Sequence, residues 1–395
     1  MQPAYGLKLL TYNLMKLMNK KIAACAVLLS FSGAASVLGQ GKEVHFDREY
    51  KKANDQKTTI EINEAQELIY IILSLTEFGQ KNPNMTRQNT PYFEAVKKHF
   101  SPYAGLPVVH QFDSLLNQNI INYFLLAGNA YGFRFKGDQL VPTEVYNFPA
   151  KGIGKFEVKT NPVITYLDEL NEFARKSGYR KFYKAHRGYY DSLKIEYKEF
   201  TDIAAQKEWL ENKFDTRINS YRVLSSPLIA GMNATHTFED NEFKEILLFL
   251  PTIKHNPDWN EAFNKAINTR VIFTEIDHNY VGPLSEQYKD RINAIFDNRD
   301  KWVDATNKST EHYPNPVKVF DEYLTWGLFI LYAYDHYKDE ALLNQVVENV
   351  NGMMIKKGFP KGAAFNEELL RLYREHKPQK IAGLYAPLLD WSANQ

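Results

Sequence analysis

Residues 245–253, Glu-Ile-Leu-Leu-Phe-Leu-Pro-Thr-Ile, make a short apolar run that its own proline, Pro251, cuts off. A run of this length, bounded this way, reads as a β-strand. Just before it, residues 220–229 alternate, with Tyr221, Val223 and Ser225 against Arg222, Leu224 and Ser226, as a second strand would. Nearly everything on either side has a helical period. The order is helices, a small strand group, then helices again, which predicts an α+β fold with most of its mass helical. At 395 residues the chain could hold one large domain or two. No linker demands two. We therefore expect one domain over 40–395: helices over 58–215, strands over 218–253, helices over 259–338 and a helical tail over 339–395.

Within that frame, Thr58 to Ile62 is β-prone, and Asn63 caps a helix running to Phe78 and stopping at Gly79. Leu68, Ile69, Ile71, Ile72 and Leu75 cover more than one of its faces, so it should be deeply buried. Further helices are expected over 92–100, 108–126, 162–177, 180–200 and 203–214. Residues 133–157 and the segment carrying Pro227, Gly231, Asn233 and His236 read as loops. After Asn256-Pro257 a helix should span 259–280 and end at Gly282-Pro283. Helices over 285–297 and 317–338 follow, then a turn region over 352–360 and an outer tail helix over 366–376.

Charge excludes some functions. With 48 basic and 47 acidic residues there is no surplus to hold a nucleic acid or an acidic membrane. The N-terminus points to export. Lys20 and Lys21 precede an apolar run over 22–38 that closes on Val37-Leu38-Gly39, the form of a cleaved signal peptide over residues 1–39, with Met18 as the alternative start. Cys25, the only cysteine, precedes the apolar run where a lipoprotein cysteine would follow it. Signal cleavage would leave no membrane span, no cysteine and no disulfide, and a periplasmic or extracellular address.

The chemistry is concentrated in residues 271–283, Val-Ile-Phe-Thr-Glu-Ile-Asp-His-Asn-Tyr-Val-Gly-Pro. Glu275 and His278, three apart, project from one helix face. A zinc-peptidase helix needs H-E-x-x-H: two histidines hold the metal, and the glutamate activates its water. Here the base and the second ligand are in place, and Thr274 stands where the first histidine would be. Asp277 lies about 100° round the helix from His278 and is a poor substitute, while His255 or His312 could reach in from loops. Each residue also has a plainer reading. Glu275 can face water, although Val271, Ile272, Phe273 and Ile276 around it are apolar. His278 can be a hydrogen-bonded core histidine, and His186, among Phe182, Tyr183, Tyr189 and Tyr190, a packed one. Glu322, in Phe320-Asp321-Glu322-Tyr323-Leu324, is the candidate third ligand, or a first-turn acid that favours the helix dipole.

The stretch Thr274-Glu275-Ile276-Asp277-His278-Asn279-Tyr280-Val281-Gly282-Pro283 resembles the H-E-x-x-H-S-F-V-N-P signature of an uncharacterised bacterial family of exported, gluzincin-like zinc metallopeptidases. Residues 68–75, the aromatic helix over 182–190, Leu224-Ser225-Ser226-Pro227-Leu228 and Glu322-Tyr323-Leu324 match in order, so the likeness runs over about residues 60–337. It implies a small sheet beside a zincin-like active-site helix, with His278 and Glu322 as zinc ligands and Glu275 as general base. Thr274 departs from the pattern, since a threonine hydroxyl is a poor zinc ligand beside imidazole. The expectation is an exported metallopeptidase-like protein whose zinc site is degenerate, keeping a cleft for a peptide or protein ligand. An active zinc peptidase with a replacement ligand, and a non-catalytic envelope binding protein, are the alternatives.

Overall fold

The computed structural model describes residues 28–30, 43–146, 158 and 161–395. Apart from Leu28–Ser30, the signal-peptide reading, with Cys25 and Val37-Leu38-Gly39, lies outside the described residues. The described strands are β1 (Leu28–Ser30), β2 (Lys57–Glu61), β3 (Phe133–Lys136), β4 (Gln139–Pro142), β5 (Ser220–Ser226), β6 (Asn233–Asp240) and β7 (Phe243–Pro251). Five form one sheet in the order β1-β6-β7-β5-β2, and β3 and β4 form a separate hairpin. β7 runs antiparallel to β6 and parallel to β5, and β2 and β1 extend the edges in parallel.

The apolar run in β7 follows from its place in the sheet. Ile246, Leu248 and Leu250 enter a core shared with the C-terminal helices, and Leu247 and Phe249 enter a second core shared with the N-terminal helices. A strand covered on both faces has no polar side to show. The result is a mostly helical α+β molecule with helices on both faces of a small sheet. Among the described residues no helix is long and apolar enough to cross a membrane.

On the N-terminal side the helix Glu64–Leu75 is buried along almost its whole length, and the Asn63 side chain accepts from the Gln66 N–H. It stops at Leu75, short of the expected Phe78, because the Thr76 hydroxyl caps a new short helix, Glu77–Lys81. The expected 108–126 helix is two, Pro107–Gln118 and Ile121–Ala127. The aromatic helix is also two, Tyr179–Ala185 and Arg187–Thr201, parted at His186. Part of the expected 133–157 loop is the β3–β4 hairpin, which turns at Gly137 with φ +59°.

The larger correction concerns the supposed loop around Asn233 and His236. It is β6, whose Ala234 and Phe238 pack into the N-terminal core. Its mixed sequence, Asn-Ala-Thr-His-Thr-Phe-Glu-Asp, hid a strand that lies against β7 through seven register pairs. Further on, Gly282-Pro283 does not end a helix. The chain breaks at Asp277, and Pro283 sits inside a restarted helix, His278–Gln287. Gly352 likewise lies within a helix, Glu340–Lys356. The tail helix, Gly362–His376, is not peripheral, because Phe365 and Leu369 are fully buried against the long helix Pro316–His336. A last helix, Ala382–Ala393, falls within the expected helical tail, where no individual helix is predicted after 376.

Candidate functional site

The motif helix, Glu261–Ile276, starts where the Asn260 side chain accepts from the Phe263 N–H. It packs Phe263, Ala266, Ile272, Phe273 and Ile276 into the C-terminal core. Its end is set by side chains that turn back on the backbone. The Thr274 hydroxyl donates to the carbonyls of Arg270 (3.1 Å) and Val271 (3.3 Å), and the Asn279 amide donates to the carbonyl of Ile276 (3.0 Å). Such bonds compete with the helical ladder and bend it. Asp277 closes one helix and His278 opens the next, while both Asp277 carboxyl oxygens are buried without a hydrogen bond among the described residues.

Three of the residues singled out in the sequence come together. His278 Nε2 is 3.8 Å from Glu322 Oε2, and Glu275, 3% exposed, lies within electrostatic reach of Glu322. Glu322 belongs to the long helix Pro316–His336 and is 1% exposed, so it is no solvated first-turn acid. Thr274 faces its own helix. His255 is elsewhere, with Nε2 2.5 Å from Glu196 Oε1 and its ring against Phe200. His186 packs on Phe182 with its Nδ1 at the Phe182 carbonyl. His312 ends the short 3-10 helix Lys308–His312, next to Tyr313, which itself faces Glu322.

Other groups at the site carried no signal that was read from the sequence. Trp326, one turn beyond Glu322, donates its indole N–H to Glu322 Oε1 at 2.8 Å. The same oxygen accepts from Lys357 Nζ at 3.2 Å. Lys357 follows the helix Glu340–Lys356, and the turn after it is tightly fixed. Gly358 has φ +90°, and a Cβ there would meet Thr310 at 2.7 Å and Asn307 at 2.9 Å. The Gly358 carbonyl accepts from the Asp304 N–H, and the Lys356 carbonyl from Asn307. Arg270, one turn before Thr274 in an apolar helix, is the signal that could have been noticed. Its guanidinium lies 4.7 Å from the centre of the Trp326 ring, and Lys357 Nζ lies 4.9 Å from it. Asn233, from the overlooked β6, faces Glu275.

Burial and these charges set the protonation states. Burial pushes Glu275 up to about 7, with Lys357 and Arg270 opposing and Glu322 adding to the rise. Burial pushes His278 down to about 4 against the pull of Glu322, which leaves a neutral imidazole at neutral pH. Burial alone would raise Glu322, but Lys357, His278, Trp326 and Tyr313 together hold it below the usual carboxylate range. Asp277 is pushed well up by burial, then by Glu322 and Glu275. One ammonium, that of Lys357, therefore bears on Glu275, His278 and Glu322 alike.

Against a zinc ion this set fits at one edge only. A tetrahedral ion with bonds of about 2.0 to 2.1 Å holds neighbouring ligands about 3.4 Å apart, so the spacing of His278 and Glu322 suits two corners. At the third corner the Thr274 hydroxyl is oriented by its bonds to the Arg270 and Val271 carbonyls, and a neutral hydroxyl is a poor zinc ligand beside imidazole. The charge a metal would bring is already supplied to Glu322 by Lys357. Among the described residues no group of three histidine, cysteine, aspartate or glutamate side chains is placed to hold a metal ion. No family model matches the chain, and neither a curated protein nor a solved structure is found similar to it.

Proposed function

We propose that this chain is an exported, metallopeptidase-like protein whose zinc site has degenerated and which uses the same site to bind a peptide or other extended ligand without hydrolysing it. The observation that carries this reading is the substitution of charge. Lys357 is hydrogen-bonded to the carboxylate that would be the third ligand, and Thr274 stands turned away at the position of the first. Glu275 keeps the raised pKa that suits a general base, while the charge beside it comes from Lys357. The export half of the reading rests on Lys20, Lys21 and the apolar run after them, and cleavage after Gly39 would remove β1 and leave β6 at that edge of the sheet.

A peptidase assay on the purified chain with zinc supplied tests the function directly. No cleavage of unfolded protein substrates above the level of a Glu275→Gln variant is expected. Cleavage that Glu275→Gln abolishes would establish an active enzyme and end this reading.

A further inference from the structure

Charge at this site is not balanced one for one. Lys357 is matched by Glu322, whereas the side chain of Arg270, a residue 9% exposed, has neither an ion pair nor a hydrogen bond among the described residues. Its Nε is sealed from solvent without an acceptor, while its terminal nitrogens, equally without acceptors, are not sealed. A buried guanidinium is costly to keep without a partner. Its guanidinium lies against the face of Trp326, which it shares with Lys357. Burial lowers its pKa to about 10, which leaves it charged at neutral pH. Glu275 and Glu322 are both near enough to feel that charge, but neither forms an ion pair with it among the described residues.

We propose that Arg270 and Lys357, set over Trp326, bind an oxyanion, the carboxylate or phosphate group of a ligand. The guanidinium offers a planar fork that matches either group with two parallel hydrogen bonds, and Lys357 adds a point charge beside it. Trp326 fixes both cations by their attraction to its ring, and its own N–H is already committed to Glu322. A ligand anion would complete the set that the fold leaves open. The proposal rests on the reading of this site as one for a ligand and not for a metal.

Calorimetric titration of the full chain tests it with three probes: inorganic phosphate, a short peptide with a free C-terminal carboxylate, and the same peptide amidated at that end. Saturable binding of phosphate or of the free-acid peptide is expected, with none for the amide, and the responding probe identifies the source of the anion. Arg270→Met should weaken that binding by about tenfold or more, and should leave the ligand-free thermal midpoint unchanged or raised, because it removes a buried unpaired charge. Arg270→Lys, which keeps the charge without the fork, should fold and bind more weakly than the wild type. Binding unchanged in both variants, or an amide that binds as well as the acid, overturns the proposal. Zinc measured on the same samples separates the two levels of the argument. Stoichiometric zinc sinks the reading beneath it, whereas zinc-free protein that ignores all three probes sinks this proposal alone.

Discussion

Two buried glutamates, one on each side of the sheet, are pushed to a pKa of about 7 by the same cause and are accommodated in opposite ways. Glu67, on the N-terminal side, is surrounded by neutral hydroxyls. Tyr92 donates to Glu67 Oε1 at 2.7 Å, Tyr190 lies 2.7 Å from the Tyr92 hydroxyl, and Ser226 stands beside the carboxyl. Glu275, on the C-terminal side, sits among charges: Lys357, Arg270 and the ionised Glu322. A buried acid met only by hydroxyls is settled by holding its proton. One met by cations belongs to a set in which charges offset each other, and any member left over asks for a partner from outside. That contrast separates a structural cluster from a site.

The most disruptive way to test the contrast is to remove one charge from the C-terminal set. Glu322→Ala strands Lys357 and frees the Trp326 indole, and should cost about 3 to 5 kcal/mol in urea unfolding at neutral pH. A loss below about 1 kcal/mol would mean that the pair is not a buried, coupled one.

The pH dependence should differ in sign between Glu67 and Glu322. Glu67 has its folded pKa raised from 4.5 to about 7, so its contribution is fully present below 4.5 and is lost as pH rises through 7. Glu322 has its folded pKa lowered, so its contribution is present above 4.5 and is lost as pH falls through the folded value. Glu67→Gln should therefore stabilise the protein by about 2 to 3 kcal/mol at pH 8 and by little at pH 4. Equal effects at both pH values would show that Glu67 does not titrate between them. Tyr92→Phe, which removes the donor to Glu67, should cost about 1 to 2 kcal/mol at pH 5 by thermal unfolding. A neutral result would mean that Ser226 alone satisfies the carboxyl.

Thr274→Ala should give the smallest effect, within about 1 kcal/mol, because the hydroxyl only bonds back to its own helix. A larger loss would give Thr274 a role beyond that turn.

The parts of the fold visible in the sequence were those governed by burial. The β7 run, the all-round apolar helix Glu64–Leu75 and the long helix Pro316–His336 each show their surroundings in their composition. What was hidden depends on single side chains that redirect the backbone, such as Thr76 starting a new helix and Asn279 with Thr274 breaking the motif helix at Asp277. β6 was hidden because Thr235 and His236 are buried in the sheet although they are polar, so its composition carries no apolar pattern to mark it. At the site, the meeting of Glu275, His278 and Glu322 was legible from spacing and from an acid in an apolar helix. Lys357 was not, because it arrives from a turn 35 residues beyond Glu322, placed by Gly358 and Asn307. Arg270 could have been read as the same kind of anomaly as Glu322, a charge inside an apolar helix.

The central claim is that Lys357 and Thr274 together close this site to metal. Zinc stoichiometry after equilibration with zinc and removal of the unbound ion tests it most directly, measured on the wild type, Thr274→His, and Thr274→His combined with Lys357→Met. The account predicts substoichiometric zinc in the wild type, little gain from Thr274→His while Lys357 still holds Glu322, and close to one zinc per chain in the double variant. One tightly held zinc in the wild type, lost on His278→Ala, would contradict it.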